Sequence, residues 1–490
     1  MPLKYLANEI WLHIFQQLPN KDVFSCMLVC KRWYRPASQI YYQEIQIKEN
    51  KLRYLQPSLY ENGYWTKRLI MTVDKSNYGM VNQDSRLEPQ EFLLLLSLLP
   101  SLQTLDLSCS AYHNYYMGML RDDVKTDLNS IEEISSLTYH RPYQELHFAV
   151  CYNFCKSIQR LVTFANPYSI HNQLHDFTYY LPHFTQLTEL SIYNNRQKDL
   201  TIFDILNNCK SLTIFKYSSY LQIPQRAESQ SCSNTNKYLK QIHLNIPTIT
   251  KSYIQFLIEQ SNYQLESLVL NIQSTNLYRW IIQNQKILSL FSVAASKLNS
   301  LQITCNPKQI PDITPIKMKL YYDFILNLKG DRDLYCDATF AESGSNNIMI
   351  DIQHQHQLLK FTCGMLNNDP SHFIDTHGII NSLKFIVNQS TLPQSLLNYY
   401  AKSNHASLDQ LLIHSTNFSF KACNKQLTSI SLDNFLFTQE TIDAISTHLP
   451  NVETIRLLSA VASSEEATKA NLDLTGFKSL TQIYFDTVSC

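Results

Sequence analysis

The sequence predicts an α/β chain: three short helices at the N-terminus, then a long solenoid of strand-and-helix repeats. Three observations carry this expectation. Between Leu6 and Tyr34 large apolar residues recur at helical spacing. From Glu91 onward an apolar pattern, Leu-x-x-Leu-x-Leu or its equivalent, returns at intervals of about 25 residues. The 8 glycines of the 490 residues are isolated, so no glycine-rich loop for a nucleotide phosphate can be built.

The N-terminal stretch reads LANEIWLHIFQQLPNKDVFSCMLVCKRWY. Asn8 as N-cap, Glu9, and the row Ile10, Ile14, Leu18 with Trp11 and Phe15 beside it predict an amphipathic helix ended by Pro19-Asn20. Asp22 caps a second helix carrying Val23, Phe24, Met27, Leu28 and Val29. Lys31, Arg32 and Trp33 lead into a third, expected to stop near Pro36. Three helices this short are too few to bury their own apolar faces, so the segment calls for a partner.

The order L-x-x-E-I-W-x-x-I-F-x-x-L, then D-V-x-x-C-x-L-V-C-K-x-W, resembles the F-box motif. Ala7 stands where that family usually has Pro. The resemblance implies docking onto a Skp-family adaptor and, through it, onto a cullin-RING ubiquitin ligase. On this reading the adaptor-binding residues are Leu6, Ile10, Ile14, Phe15, Leu18, Val23, Leu28, Val29, Cys30 and Trp33. One part of this surface packs on the adaptor and another on the following domain. The alternative is a leucine-rich repeat scaffold, or an adaptor-binding protein acting outside a ligase, whose helices only cap the solenoid.

The repeats centre on Leu102/Leu105/Leu107, Ile134/Leu137/Tyr139, Leu187/Leu190/Ile192, Leu212/Phe215/Tyr217, Leu239/Ile242/Leu244, Leu265/Leu268/Leu270, Leu298/Leu301/Ile303 and Leu358/Phe361/Cys363. Later copies run through Leu480/Ile483/Phe485, and a weaker one lies at Ile158 and Leu161. This is the period of leucine-rich repeats, and it predicts a horseshoe of about a dozen or more units. Each unit has a short strand and a helical return, such as Ile254–Glu259 or Ile442–His448, and only stacking buries both. Asn166, Asn195 and Asn306 fall nine positions into their repeats, where the resemblance to leucine-rich repeats implies an Asn that satisfies backbone groups at the turn after the strand.

The resulting domain plan is an F-box at 1–47, a connecting segment with the first strand at 48–90, and the solenoid at 91–490. That first strand is placed at Arg68–Val73. Ala111–Lys125 reads as an insertion. Asn306–Gln357, with Pro307, Pro311 and Pro315, reads as an irregular double-length gap hiding a repeat near Lys319–Leu328.

Composition narrows the function. Lys and Arg balance Asp and Glu at 41 each, so the basic excess that neutralises nucleic acid or anionic lipid phosphates is missing. Neither nucleic acid nor membrane is an expected partner. The N-terminus interleaves Lys4, Asn8 and Glu9 with apolar residues, which is not a secretory pattern. The expected location is therefore the cytoplasm or nucleus, where the 12 cysteines would be reduced thiols.

Chemistry is sparse. Cys26 with Cys30, and Cys151 with Cys155, would each share one helix face, but neither has the second pair a zinc site needs. His354 and His356 are two imidazoles in a polar stretch. No nucleophile signature surrounds any Cys, Ser or His, so no catalytic residue, metal or cofactor is assigned. Binding falls instead to residues between the inward leucines of the strands, which would line the concave face: Lys216, His243, Gln302, Lys384, Arg456 and Tyr484 for an unknown target protein, in a row that also holds Asp106, Ser191, Val269 and Ser431.

Overall fold

The computed structural model describes residues 7–48, 52–72, 86–110, 112–122, 128, 130–135, 141–170, 173–223, 236–272, 284–295 and 297–305. Beyond these it describes 336–343, 347–354, 360–365, 380–386, 410–414, 429–433, 443, 446–447, 451–458, 460–461, 473–485 and 488–489. The chain forms two compact units, 1–197 with 204–216, and 198–203 with 217–490.

The first unit opens with α1 (Asn8–Gln16), α2 (Asn20–Met27) and α3 (Lys31–Tyr41). Their N-caps are Ala7, Pro19 and Cys30, none bonded through a side chain, which corrects the expectation that Asn8 and Asp22 are caps. Asp22 instead lies in the first turn of α2, where a negative charge favours the helix dipole. α3 also runs on through Pro36 rather than stopping there. A proline inside a helix costs about 3 kcal/mol. Packing of Ala37, Ile40, Tyr41 and Tyr42 onto Trp11, Phe15, Val23 and Met27 offsets it.

A strand follows α3 at once. β1 (Glu44–Lys48) precedes α4 (Leu52–Asn62) and β2 (Arg68–Thr72), so Arg68 opens the second strand and not the first. The ladder thus begins inside the segment the sequence assigned to the helical domain. Then come α5 (Pro89–Ser97), β3 (Thr104–Cys109), α6 (His113–Asp122), β4 (Glu133–Ser135), α7 (Arg141–Asn153) and β5 (Arg160–Phe164). A small antiparallel hairpin, β6 (Tyr168–Ile170) with β7 (Gln173–His175), leads to α8 (Phe177–Tyr180) and β8 (Glu189–Asn194). β1, β2, β3 and β4 pair in parallel, as do β5 and β8.

One junction repeats through this unit: a single carbonyl accepts two successive N–H groups from the next repeat. Gln43 O takes Lys67 and Arg68, Lys67 O takes Gln103 and Thr104, and Gln103 O takes Glu132 and Glu133. Glu132 O then takes Gln159 and Arg160, and Gln159 O takes Thr188 and Glu189. The stacking is therefore continuous from β1 to β8 although β4 is short. Alternate residues, Ile45, Ile47, Leu69, Met71, Leu105, Leu107, Leu161, Leu190 and Ile192, are buried between strands and helices, as the period of two requires.

Four expectations fail within this unit for local reasons. Ile134 pairs with Leu105, not with the first leucine of that repeat, and the buried Ile131 fills the earlier place, so this repeat is shifted by one apolar position. Residues 112–122 are the ordinary helical return α6 with Tyr116, Met117 and Leu120 buried, not an insertion. Asn194 rather than Asn195 closes the turn after β8: its amide donates to Gln197 O at 2.8 Å and its Oδ1 accepts from Gln197 N at 3.0 Å. Asn166 is buried and donates to Gln144 Oε1 at 3.1 Å, a side-chain partner in place of the backbone group expected; Asn306 lies outside the described residues.

α9 (Ile202–Leu206) and β9 (Ile214–Ser219) follow in the chain. The second unit continues with β10 (Gln241–Ile246), α10 (Lys251–Ser261), β11 (Ser267–Ile272), a helix at Gln285–Ala295 and β12 (Ser300–Cys305). Thr250 caps α10, its side chain accepting from Tyr253 N. β10, β11 and β12 are parallel and in register. β13 (Cys336–Ser343), β14 (Asn347–His354) and β15 (Lys360–Met365) then pair antiparallel through β14, so the irregularity expected over 306–357 includes a hairpin. The parts of it at Pro307–Pro315 and Lys319–Leu328 lie outside the described residues. Parallel pairing resumes through β16 (Ile380–Ile386), β17 (Gln410–His414), β18 (Ser429–Asp433), β19 (Thr454–Leu458), and, past the short β20 (Ala460–Val461), β21 (Gln482–Phe485). Most of the return helix expected at Ile442–His448 is outside the described residues.

Candidate functional site

The three helices do build a small core of their own. Trp11, Phe15 and Trp33 meet with ring centroids 4.8 to 5.8 Å apart, and Val23, Met27 and Ala37 complete the cluster. Apolar surface is still left over, at Ile10, Ile14, Phe24, Leu28 and Val29, as expected of helices this short. The cluster sorts the residues expected at an adaptor surface. Phe15 and Val23 are fully buried inside the cluster, and Leu18 and Trp33 pack against it. Ile10 and Ile14, one helical turn apart, share the outward side of α1. In the turn between α2 and α3, Leu28 is 74% exposed, Val29 is 61% exposed, and Cys30 is exposed. Leu6 lies outside the described residues. Phe24, not selected from the sequence, is also exposed, leaning on Tyr41 at 5.4 Å. Its signal was its position next to the inward Val23, which turns it about 100° round the same helix and away from the core.

Of the residues expected on the concave face, Lys216, His243, Gln302 and Arg456 alternate with buried positions of their strands, Tyr484 is exposed, and Lys384 is located by strand register alone. Lys216 is exposed on β9. In the second unit His243 pairs with Val269, and Val269 with Gln302, so His243 and Gln302 share one row across β10, β11 and β12. The Asn271 amide lies 3.2 Å from His243 Nε2. Lys384 pairs with Leu412, Leu412 with Ser431, Ser431 with Arg456, and Arg456 with Tyr484, which makes a second row. At its end the Arg456 guanidinium sits 5.4 Å from the Tyr484 ring centre, a cation–π contact.

Nothing among the described residues assembles a reactive centre. Cys26 is in α2 while Cys30 caps α3, and Cys151 is in α7 while Cys155 lies in the turn beyond it, so neither pair shares a helix face. One Cys–His pair does form, His147 with Cys151 at 3.6 Å, but both are buried. Burial pushes the Cys151 thiol up to about 12 and the His147 imidazole down, while His147 Nε2 donates to Ile134 O at 2.9 Å. A thiol held so far from its thiolate is a core residue. A cavity of about 430 Å3 opens beside Pro182, Phe184, Leu187, Asn208 and Lys210; its Cys209 is likewise raised to about 12 by burial. Among the described residues no group of three or more His, Cys, Asp or Glu could hold a metal, and no helix is long and apolar enough to cross a membrane.

Residues 8–45 match the F-box-like family model. No curated protein matches the chain. Among solved structures the chain is similar to one from Drosophila titled "Structure of the Toll - Spatzle complex, a molecular hub in Drosophila development and innate immunity", at 13% identity and a TM-score of 0.33. The match covers 67% of this chain and 40% of that one.

Proposed function

We propose that this chain, which carries an F-box-like domain at residues 8–45 followed by a parallel-strand repeat region, is the substrate-recognition subunit of an SCF-type cullin-RING ubiquitin ligase. Its helices dock a Skp-family adaptor, and the repeats hold a target protein so that target lysines reach the ubiquitin-loaded enzyme. The observation that carries the reading is the outward set Ile10, Ile14, Phe24, Leu28 and Val29. The helical core closes without them, so their exposure is not a cost of folding; apolar residues gathered in solvent beside a finished core suit a partner.

The chain then works by proximity, raising effective concentration and supplying no reactive group. Lys216, His243, Gln302, Lys384, Arg456 and Tyr484 are target-facing in this reading, and the place of action is the cytoplasm or nucleus.

The test is co-purification of the full-length chain with a Skp-family adaptor and a cullin, beside a Leu28→Asp, Val29→Asp double variant. Both partners should come down with the wild type and neither with the variant. An adaptor captured without cullin would move the function outside a ligase, and a wild type that captures no adaptor would end the proposal.

A further inference from the structure

α2 has an inward and an outward side. Val23 and Met27, one turn apart, are buried in the helical core, whereas Phe24 and Leu28, also one turn apart, are exposed. Phe24 has no place in the core cluster of Trp11, Phe15, Val23, Met27 and Ala37. Among the described residues its ring partner is Tyr41 of α3, with centroids 5.4 Å apart and planes tilted by 46°.

Tyr41 is braced where Phe24 is not. It packs against the helical core, and the ring of Tyr42 meets it edge to face at 5.2 Å and 85°. Tyr42 packs against the same core and is hydrogen-bonded to Ser58 of α4. Phe24 thus rests on a ring that is itself anchored, while 45% of it stays open to solvent. An unsupported Phe on a helix surface has two open χ1 rotamers, near 180° and −60°. Freezing such a side chain on association weakens a complex by about two- to tenfold. A ring already held in one place avoids that loss.

We infer that Tyr41 is a positioning residue for adaptor docking: its ring fixes that of Phe24 on the outward side of α2, so Phe24 meets the adaptor in a conformation set before binding. Tyr41 acts through Phe24. The contact runs ring to ring, so the function asks for an aromatic side chain at this place and not for its hydroxyl. The inference rests on the reading of the three helices as an adaptor-docking module, and it adds to that module a residue of α3 whose work is done inside the chain.

The experiment uses the full-length chain and a purified Skp-family adaptor. Kd is measured for wild type, Phe24→Ala, Tyr41→Leu and the double variant, and again for a cycle built on Tyr41→Phe. Phe24→Ala should weaken binding in the wild-type background, and by a factor about two- to tenfold smaller in the Tyr41→Leu background. Tyr41→Phe should restore the full effect of Phe24→Ala. Each factor is taken within one background, so a stability loss shared by both members cancels. A Tyr41 that only supports the fold would leave the two factors equal, and equal factors overturn the inference. Tyr41→Phe behaving like Tyr41→Leu overturns it as well. A second reading needs no adaptor: with 4-fluorophenylalanine in place of Phe24, the fluorine resonance of the free chain should move on Tyr41→Leu and hold on Tyr41→Phe. A resonance indifferent to Tyr41→Leu sinks the bracing itself. A wild type that captures no adaptor removes the ligase reading together with this one, whereas adaptor binding with equal Phe24 factors removes this one alone.

Discussion

The turn between α2 and α3 allows a quantitative test of docking. Complete burial of a Leu or Val side chain stabilises by ~1.5–3 kcal/mol. Leu28 is 74% and Val29 61% exposed in the free chain, so most of that gain is still available to a partner, about 1–2 kcal/mol for each. Replacing both with Asp should remove about 2–4 kcal/mol of binding, or roughly 30- to 1000-fold in Kd. The carboxylates would add a desolvation cost in the same direction. Folding should not change by more than about 0.5 kcal/mol, because both side chains are already in water. Phe15→Ala is the opposite control: that ring is fully buried, and its loss should cost about 3–5 kcal/mol of stability. Titration calorimetry with a purified Skp-family adaptor, run beside urea denaturation, reads both quantities. An unchanged Kd in a natively stable double variant would refute docking at this turn.

Three further outcomes follow from packing. A Cβ at Gly63 would run into the Leu98 carbonyl oxygen, so Gly63→Ala should lower stability by about 1–3 kcal/mol, seen as a lower urea midpoint. Gln260 is fully buried with neither side-chain polar atom hydrogen-bonded, so Gln260→Met should raise the thermal midpoint, the apolar replacement relieving about 1–3 kcal/mol of desolvation. His147 is buried and its imidazole sits below its ordinary value, chiefly through desolvation, so the folded chain resists the proton that the unfolded chain accepts. Its contribution is whole above about pH 6.5 and is lost as pH falls toward the folded value, by up to about 1.4 kcal/mol per pH unit; His147→Gln should flatten that slope in urea titrations at stepped pH.

Much of the ladder was legible because inward positions obey a period of two that chemistry enforces. Leu105 and Leu107, Leu190 and Ile192, Ile242 and Leu244 all lie where the pattern put them. The misreadings came where a second signal competed. β1 was hidden because Ile45 and Ile47 follow a helical segment and were absorbed into it. Ile134 was misplaced because β4 is only three residues long and offers too short an alternation to fix its register. Helical periodicity also could not tell Phe15 from Ile14, or Val23 from Phe24: in a three-helix cluster both flanks of each helix are apolar, and only tertiary packing decides which is inside.

The junction between helices and ladder bears on how a proximity mechanism could work. Only Tyr42 and Gln43 separate α3 from β1, and each is tied on one side or the other. Tyr42 packs on the helical core, and its side chain bonds Ser58 of α4, with burial holding its hydroxyl above the ordinary phenol range. Gln43 O is the first acceptor of the ladder, at 2.9 Å from Lys67 N and 3.0 Å from Arg68 N. A flexible linker would let docked target and ligase sample many separations, and effective concentration would fall as the linker lengthened. Here Tyr42 packs on the helical core and Gln43 O is bonded into the ladder instead, so no free linker stands between α3 and β1. On the proposed function, an adaptor at the Leu28 turn and a target on the strands from β1 to β8 would both be held by one compact unit. Inserting a Gly-Ser linker between Gln43 and Glu44 should leave adaptor affinity intact, since the helical core closes without β1, yet slow ubiquitin transfer to a bound target. That separation of binding from transfer is what distinguishes a rigid receptor from a tether.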